Sequence, residues 1–243
     1  MSHDWLTYVN ERRRQNLLHI LEELSRLQNS DNLNFIIIGA LPLLIAGYLR
    51  YAVLWDIDLL FRDKKRLGEF MAVPKSPTLK IINYDEDLMV SESIASFHTA
   101  WTFNKTWFNV DYILKKNIFE FFSSNRELEP YKQTITLANK NFHIHVNCAH
   151  PWDIIVEKVL SPRTEKELDL KIDMSVDIRH ILSVYNKEKE NIRFWNTVLD
   201  RAAYLHKRER FKEIFLNILS LAPNLGYQEV EVSPRAKAML TAS

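Results

Sequence analysis

A chain of 243 residues is long enough to bury a substantial core and suits two ordinary domains. With 47% apolar and 26% charged residues it is not disordered over most of its length, and a formal net charge of +1 excludes a global attraction to nucleic acid or membranes, so any basic surface has to be local. A single cysteine, Cys148, excludes an intrachain disulfide framework and makes the cytoplasm the expected location.

The first residues, MSHDWLTYVNERRRQ, carry charge where a signal peptide would be apolar, which argues against secretion. Leu17, Leu21, Leu24 and Leu27 recur at helical spacing and predict an amphipathic first helix. The β-branched run NFIIIG, Asn34 to Gly39, predicts a buried strand, and Pro42 suits the first turn of a short helix reaching Tyr48. Phe35 to Leu49 is the one candidate for a membrane span. It holds Gly39, Pro42 and Gly47 and falls short of the roughly 20 apolar residues such a span needs, so no membrane partner is expected.

WDIDLLF, Trp55 to Phe61, predicts a second strand. SFHTAWTF and WFNVDYIL flank Asn104-Lys105, and YKQTITLA and FHIHVN flank Asn139-Lys140, which predicts two antiparallel hairpins. From His150 the texture changes to successive helical patterns: HPWDIIVEKVL, ELDLKIDMSVDIRHILSVY, IRFWNTVLDRAAYLH and ERFKEIFLNILSL. The residues after Pro223 lack strong periodicity and read as a tail. The expected fold class is α+β, with a mixed β-sheet and flanking helices over residues 1–148, a C-terminal helical bundle over 149–222 and a tail over 223–243.

The chemistry concentrates in WDIDLLF. Alternation along a strand sends Asp56 and Asp58 to one face and Ile57, Leu59 and Phe61 to the other. Two like charges that close repel unless water reaches both or a cation lies between them, and hard oxygen ligands at this spacing suit Mg²⁺ (or Mn²⁺). Upstream, a strand ending in Gly39 leads into a helix whose first backbone N–H groups suit phosphate. The competing reading is a strand end with both acids solvated.

Strand, Gly39-Ala40, short helix, then Asp56 and Asp58 on a strand seventeen positions from Gly39 resembles the nucleotidyltransferase superfamily, and most of all its AbiEii and MenA toxin branch with the minimal nucleotidyltransferases. The resemblance covers roughly residues 30–185. It implies a nucleotidyltransferase-like sheet, and a third carboxylate on a later strand, for which Asp111 in WFNVDYIL is the match. In the mechanism so implied, Asp56 and Asp58 hold one or two Mg²⁺ ions that clamp a nucleoside triphosphate. Asp111 completes the metal site and draws the proton from an acceptor hydroxyl attacking the α-phosphate. Gly39, Ala40 and Arg50 are the implied nucleotide contacts on this side. Ala40 departs from the family's second small or hydroxyl residue, Trp55 precedes the first Asp where a small or polar residue is usual, and Arg50 lies further upstream than usual.

The same resemblance implies nucleotide contacts for Lys158 and Arg163, and a supporting role for Asp177 in KIDMSVDI, where a core salt bridge or a cap is the alternative. A separate cluster, His143, His145, Cys148 and His150, has zinc-competent residue types without a familiar spacing. The basic runs Arg12 to Arg14 and Lys207 to Lys212 are short, interleaved with acids and read as solvated helix faces before an RNA track. The expectation is therefore a metal-dependent transfer of a nucleotide from a nucleoside triphosphate to a hydroxyl of RNA, protein or a small molecule. By resemblance the chain would be the toxin of a toxin–antitoxin pair, with a cognate antitoxin as partner. The rival is a catalytically inactive module on the same fold that senses nucleotide or docks a partner.

Overall fold

The computed structural model describes residues 5–28, 33–51, 56–83, 95–103, 106–172, 175–227 and 230–242. Trp55, the Asn104-Lys105 turn, Asp173 and Met174 lie outside the described residues. The chain divides into two compact units, Met1–His150 and Pro151–Ser243.

The first unit opens with α1 (Glu11–Leu27), whose Asn10 side chain accepts from the Arg12 N–H and satisfies one of the free donors of the first turn. Leu17, Leu21, Leu24 and Leu27 are all buried, the stripe their spacing predicts. β1 (Ile36–Ile38) is shorter than the apolar run suggests because Gly39, at φ +77°, turns the chain into α2 (Ala40–Ile45). That helix ends before Tyr48, and a second left-handed glycine, Gly47 at φ +76°, reverses the chain after it. β2 (Asp56–Phe61), α3 (Lys64–Ala72), β3 (Lys80–Asn83), β4 (Ala95–Phe103), β5 (Thr106–Leu114) and α4 (Lys116–Ser123) follow.

Five strands form one mixed sheet in the order β1-β2-β5-β4-β3. β2 and β5 run parallel, and the other neighbouring pairs run antiparallel. Ile57, Leu59 and Phe61 are fully buried on one face of β2, where Phe61 meets Phe35, Phe70 and Tyr112 at centroid distances of 6.0, 5.2 and 6.0 Å. Rings of this size bury large apolar areas and dominate the packing that fixes β2 in place. With that face committed to the core, a one-residue slip would bury Asp56 and Asp58, so the register is strongly specified.

β6 (Pro130–Leu137) and β7 (Lys140–Asn147) form a separate hairpin. Its two turn residues are Ala138 and Asn139, at φ +49° and +63°, not Asn139 and Lys140. Positive φ at both central positions matches the twist of flanking strands, and Asn tolerates it better than Lys.

In the second unit α5 (Pro151–Val159) is entered through proline as expected. The pattern read as one helix from Glu167 to Tyr185 is two. α6 (Pro162–Asp169) ends where Lys171 turns left-handed at φ +49°, and α7 (Val176–Glu188) restarts at Ser175, whose hydroxyl accepts from the Ile178 N–H. Leu170 is exposed, while Ile178, Ile181 and Tyr185 are buried. α8 (Ile192–Tyr204) and α9 (Arg208–Leu221) bury Trp195, Leu199 and Ala202, then Phe211, Ile214, Phe215 and Ile218. The segment read as a tail holds α10 (Pro234–Thr241), capped by Ser233, with Ala236 and Leu240 buried. Two apolar positions four apart are too few to register as periodicity, yet they suffice to seat one short helix. No described helix is long and apolar enough to cross a membrane.

Candidate metal centre

Asp56 and Asp58 open β2, and the parallel pairing with β5 sets Asp58 opposite Asp111 and Asp56 opposite Asn109. Opposite residues in a sheet share a face, so all three carboxylates project together from the face that the aromatic cluster leaves. One oxygen from each lies within 4.8 Å of the others, and all three residues are half-buried. Among the described residues no other group of three or more His, Cys, Asp or Glu side chains converges in this way.

Antiparallel pairing with β1 puts Ile38 opposite Asp58, so the chain leaves the sheet at Gly39 beside that carboxylate. A Cβ built on Gly39 would lie 2.0 Å from Asp58 Oδ2 and 3.1 Å from its Cγ. Glycine is needed there twice over, for the close approach and for the positive φ. Ala40 begins α2, a helix of only six residues, and Arg50 is exposed in the loop between α2 and the described start of β2.

The donor set fits a divalent cation. Three hard carboxylate oxygens with separations under 4.8 Å match ligands on one ion, whose opposite ligands stand roughly 4–5 Å apart at ordinary Mg²⁺–O or Ca²⁺–O lengths. A cation there would also offset the mutual repulsion of three acids.

One neighbour is absent from the sequence reading. His98 lies opposite Asp111 across the β4–β5 pair, and its Nδ1 is 3.1 Å from Asp111 Oδ2. The signal for it was in the chain: the hairpin expected about Asn104-Lys105 would pair Phe103 with Thr106 and, five steps back along each strand, His98 with Asp111, and both pairs are found.

Three of the other expected site residues lie in the second unit and pair with one another. In the second unit Lys158 Nζ donates to Asp177 Oδ1, and Arg163 Nε reaches Asp177 Oδ2 at 3.5 Å and Glu167 Oε1 at 2.9 Å. Glu167 also accepts from the Ser175 hydroxyl. Burial pulls the Asp177 carboxyl upward, but Lys158 and then Arg163 outweigh it and hold it below the usual carboxylate range. Beside this network His180 is 2% exposed, and burial, reinforced by Lys158, drives its pKa down to about 3. Asp177 thus has the salt-bridge partners that its burial demands.

His143 and His145 are exposed on β7, and His143 Nδ1 lies 3.1 Å from Thr134 Oγ1. His150 faces Glu127 at 3.6 Å, and burial pushes the Cys148 thiol up to about 12. These four side chains do not assemble a metal site. Members of both basic runs are engaged within their own units. The Arg13 guanidinium lies 4.2 Å from the Phe108 ring and donates to the Trp107 carbonyl at 2.6 Å. Lys212 is buried and donates to Glu209 and to the Ala242 carbonyl. A cavity of about 550 Å³ in the first unit, lined by His19, Glu22, Arg26, Lys75 and Lys140 among others, does not include the three carboxylates.

These features define an α+β chain bearing a three-carboxylate, cation-competent centre at the end of a central strand. No family model matches it, and no curated protein does. Solved structures similar to it include the following two. One is a candidate nucleotidyltransferase from H. pylori, at 13% identity and a TM-score of 0.42, covering 93% of this chain and 91% of that one. The other is JHP933 from Helicobacter pylori, at 14% identity and a TM-score of 0.44, covering 95% of this chain and 90% of that one.

Proposed function

We propose that the chain is a metal-dependent nucleotidyltransferase, moving a nucleotide from a nucleoside triphosphate to a hydroxyl acceptor. The observation that carries this reading is the convergence of Asp56, Asp58 and Asp111 beside Gly39. Asp56, Asp58 and Asp111 would hold Mg²⁺ or Mn²⁺. When bound, such an ion supplies positive charge to polarise a phosphoryl group and offset the charge that develops as it transfers.

This chain's own residues do the rest. The turn at Gly39 lets the backbone pass close against the Asp58 carboxylate, which a larger residue would displace from the site. Asp111, half-buried on β5 opposite Asp58, would accept a proton from an attacking hydroxyl. The packed face of β2 keeps the acids in one register, as a preorganised site requires. The sequence resemblance extends the reading to the toxin of a toxin–antitoxin pair, acting on RNA, protein or a small molecule.

The test is incubation with each α-labelled triphosphate, Mg²⁺ and total RNA or protein, for the natural chain and for Asp56→Ala with Asp58→Ala. Label that enters an acceptor only with Mg²⁺, and only with both aspartates present, supports transfer. A chain that transfers no label but keeps a partner's affinity after both substitutions is the docking module instead.

A further inference from the structure

We propose that His98 is the positioning residue of this centre, fixing the Asp111 carboxylate in the orientation that faces Asp56 and Asp58; the inference rests on the metal-site reading above. His98 and Asp111 are opposite residues of an antiparallel pair, so the backbone itself sets their separation. Nδ1 stands 3.1 Å from Asp111 Oδ2, and against a carboxylate acceptor Nδ1 is the ring nitrogen that carries hydrogen.

The exposure of the two side chains separates this role from simple packing. His98 is 50% exposed and contributes little to the core, whereas the Asp111 side chain is 16% exposed and needs a donor to hold it. An aspartate with one oxygen tied to a strand neighbour loses the freedom to swing away from Asp58. Outer partners that orient a ligating carboxylate typically change metal affinity 10–100-fold when removed.

The experiment is a titration of the full chain with Mn²⁺ alone, following the free-ion paramagnetic resonance signal, for the natural protein, H98A, H98N and D58A. Thermal midpoints are recorded without metal. The carboxamide nitrogen of Asn falls near the position of Nδ1, so H98N keeps the donor while losing the ring. Expected are a weakening of about tenfold in H98A, recovery of most of that loss in H98N, and metal-free midpoints close to the natural one. H98A binding Mn²⁺ as the natural chain does, while D58A loses it, overturns the role of His98 and leaves the metal site standing. Equal weakening in H98A and H98N also overturns it, since the donor would then not matter. No binding by the natural chain removes the metal-site reading, and this inference with it.

Discussion

Asp58 and Asp111 stand opposite each other in the parallel β2–β5 pair, two carboxylates from strands far apart in sequence brought to one point by register alone. With Asp56 two residues along the same strand, three half-buried like charges stand together and repel one another. Asp58→Asn removes one of them. The variant should melt at or above the metal-free natural chain, yet gain nothing from Mg²⁺. The natural chain should gain about 3 kcal/mol when Mg²⁺ is present at about 100 times its Kd, and chelation should reverse the gain. Calorimetry with and without Mg²⁺ checks both halves.

Gly39→Ala places a methyl where Asp58 Oδ2 now lies, 2.0 Å from the ideal Cβ. The carboxylate is the movable partner, so it should swing out of the shared pocket, and the positive φ adds backbone strain of about 1–3 kcal/mol. Weaker Mn²⁺ binding together with a stability loss in that range is expected, read by metal titration and by denaturant unfolding.

Asp177→Asn leaves Lys158, whose side chain is 13% exposed, without its anionic partner. Breaking a buried pair by removing one member is costly, and the loss should be about 3 kcal/mol in urea unfolding. Lys158→Met should cost less, because Arg163 Nε remains 3.5 Å from Asp177 Oδ2.

His180 gives stability a pH dependence of definite sign. Its folded pKa, about 3, lies below the ordinary 6.5, because burial first and Lys158 next disfavour the charged ring. Above pH 6.5 both states are neutral and no slope arises from this group. Between 6.5 and about 3 the unfolded chain takes up a proton that the folded chain refuses, so stability falls by up to about 1.4 kcal/mol per pH unit. Asp177 acts in a lower window: its depressed pKa adds stability above the ordinary 3.8, which is lost as pH falls through the folded value. His180→Phe should flatten the slope between pH 6.5 and 4, measured by denaturant midpoints across that range.

The same-face placement of Asp56 and Asp58 was legible because alternation along a strand needs no knowledge of the rest of the fold. The helices α5, α8 and α9 were legible for a parallel reason, their apolar spacing being local. Register was harder. In the β6–β7 hairpin, moving the turn from Asn139-Lys140 to Ala138-Asn139 shifts each cross-strand partner by two residues. Phe142, Ile144 and Val146 stay on the same face either way, so the apolar pattern could not choose. The β2–β5 pairing was not legible in residue pattern alone, since two strands separated by some fifty residues carry no mark of being neighbours; Asp111 was joined to Asp56 and Asp58 only through the family resemblance. The break between α6 and α7 was readable and missed: Ser175 followed by Asp177 is an N-cap with an acid in the first turn, but the apolar residues recurring on both sides of it hid the stop.

The most direct measurement is the anomalous scattering of crystals soaked with Mn²⁺ and a non-hydrolysable nucleoside triphosphate. A manganese peak bonded by Asp56, Asp58 and Asp111, with triphosphate oxygens completing its shell, is the predicted result. Crystals that hold the nucleotide elsewhere, with no peak among those three side chains, would contradict it.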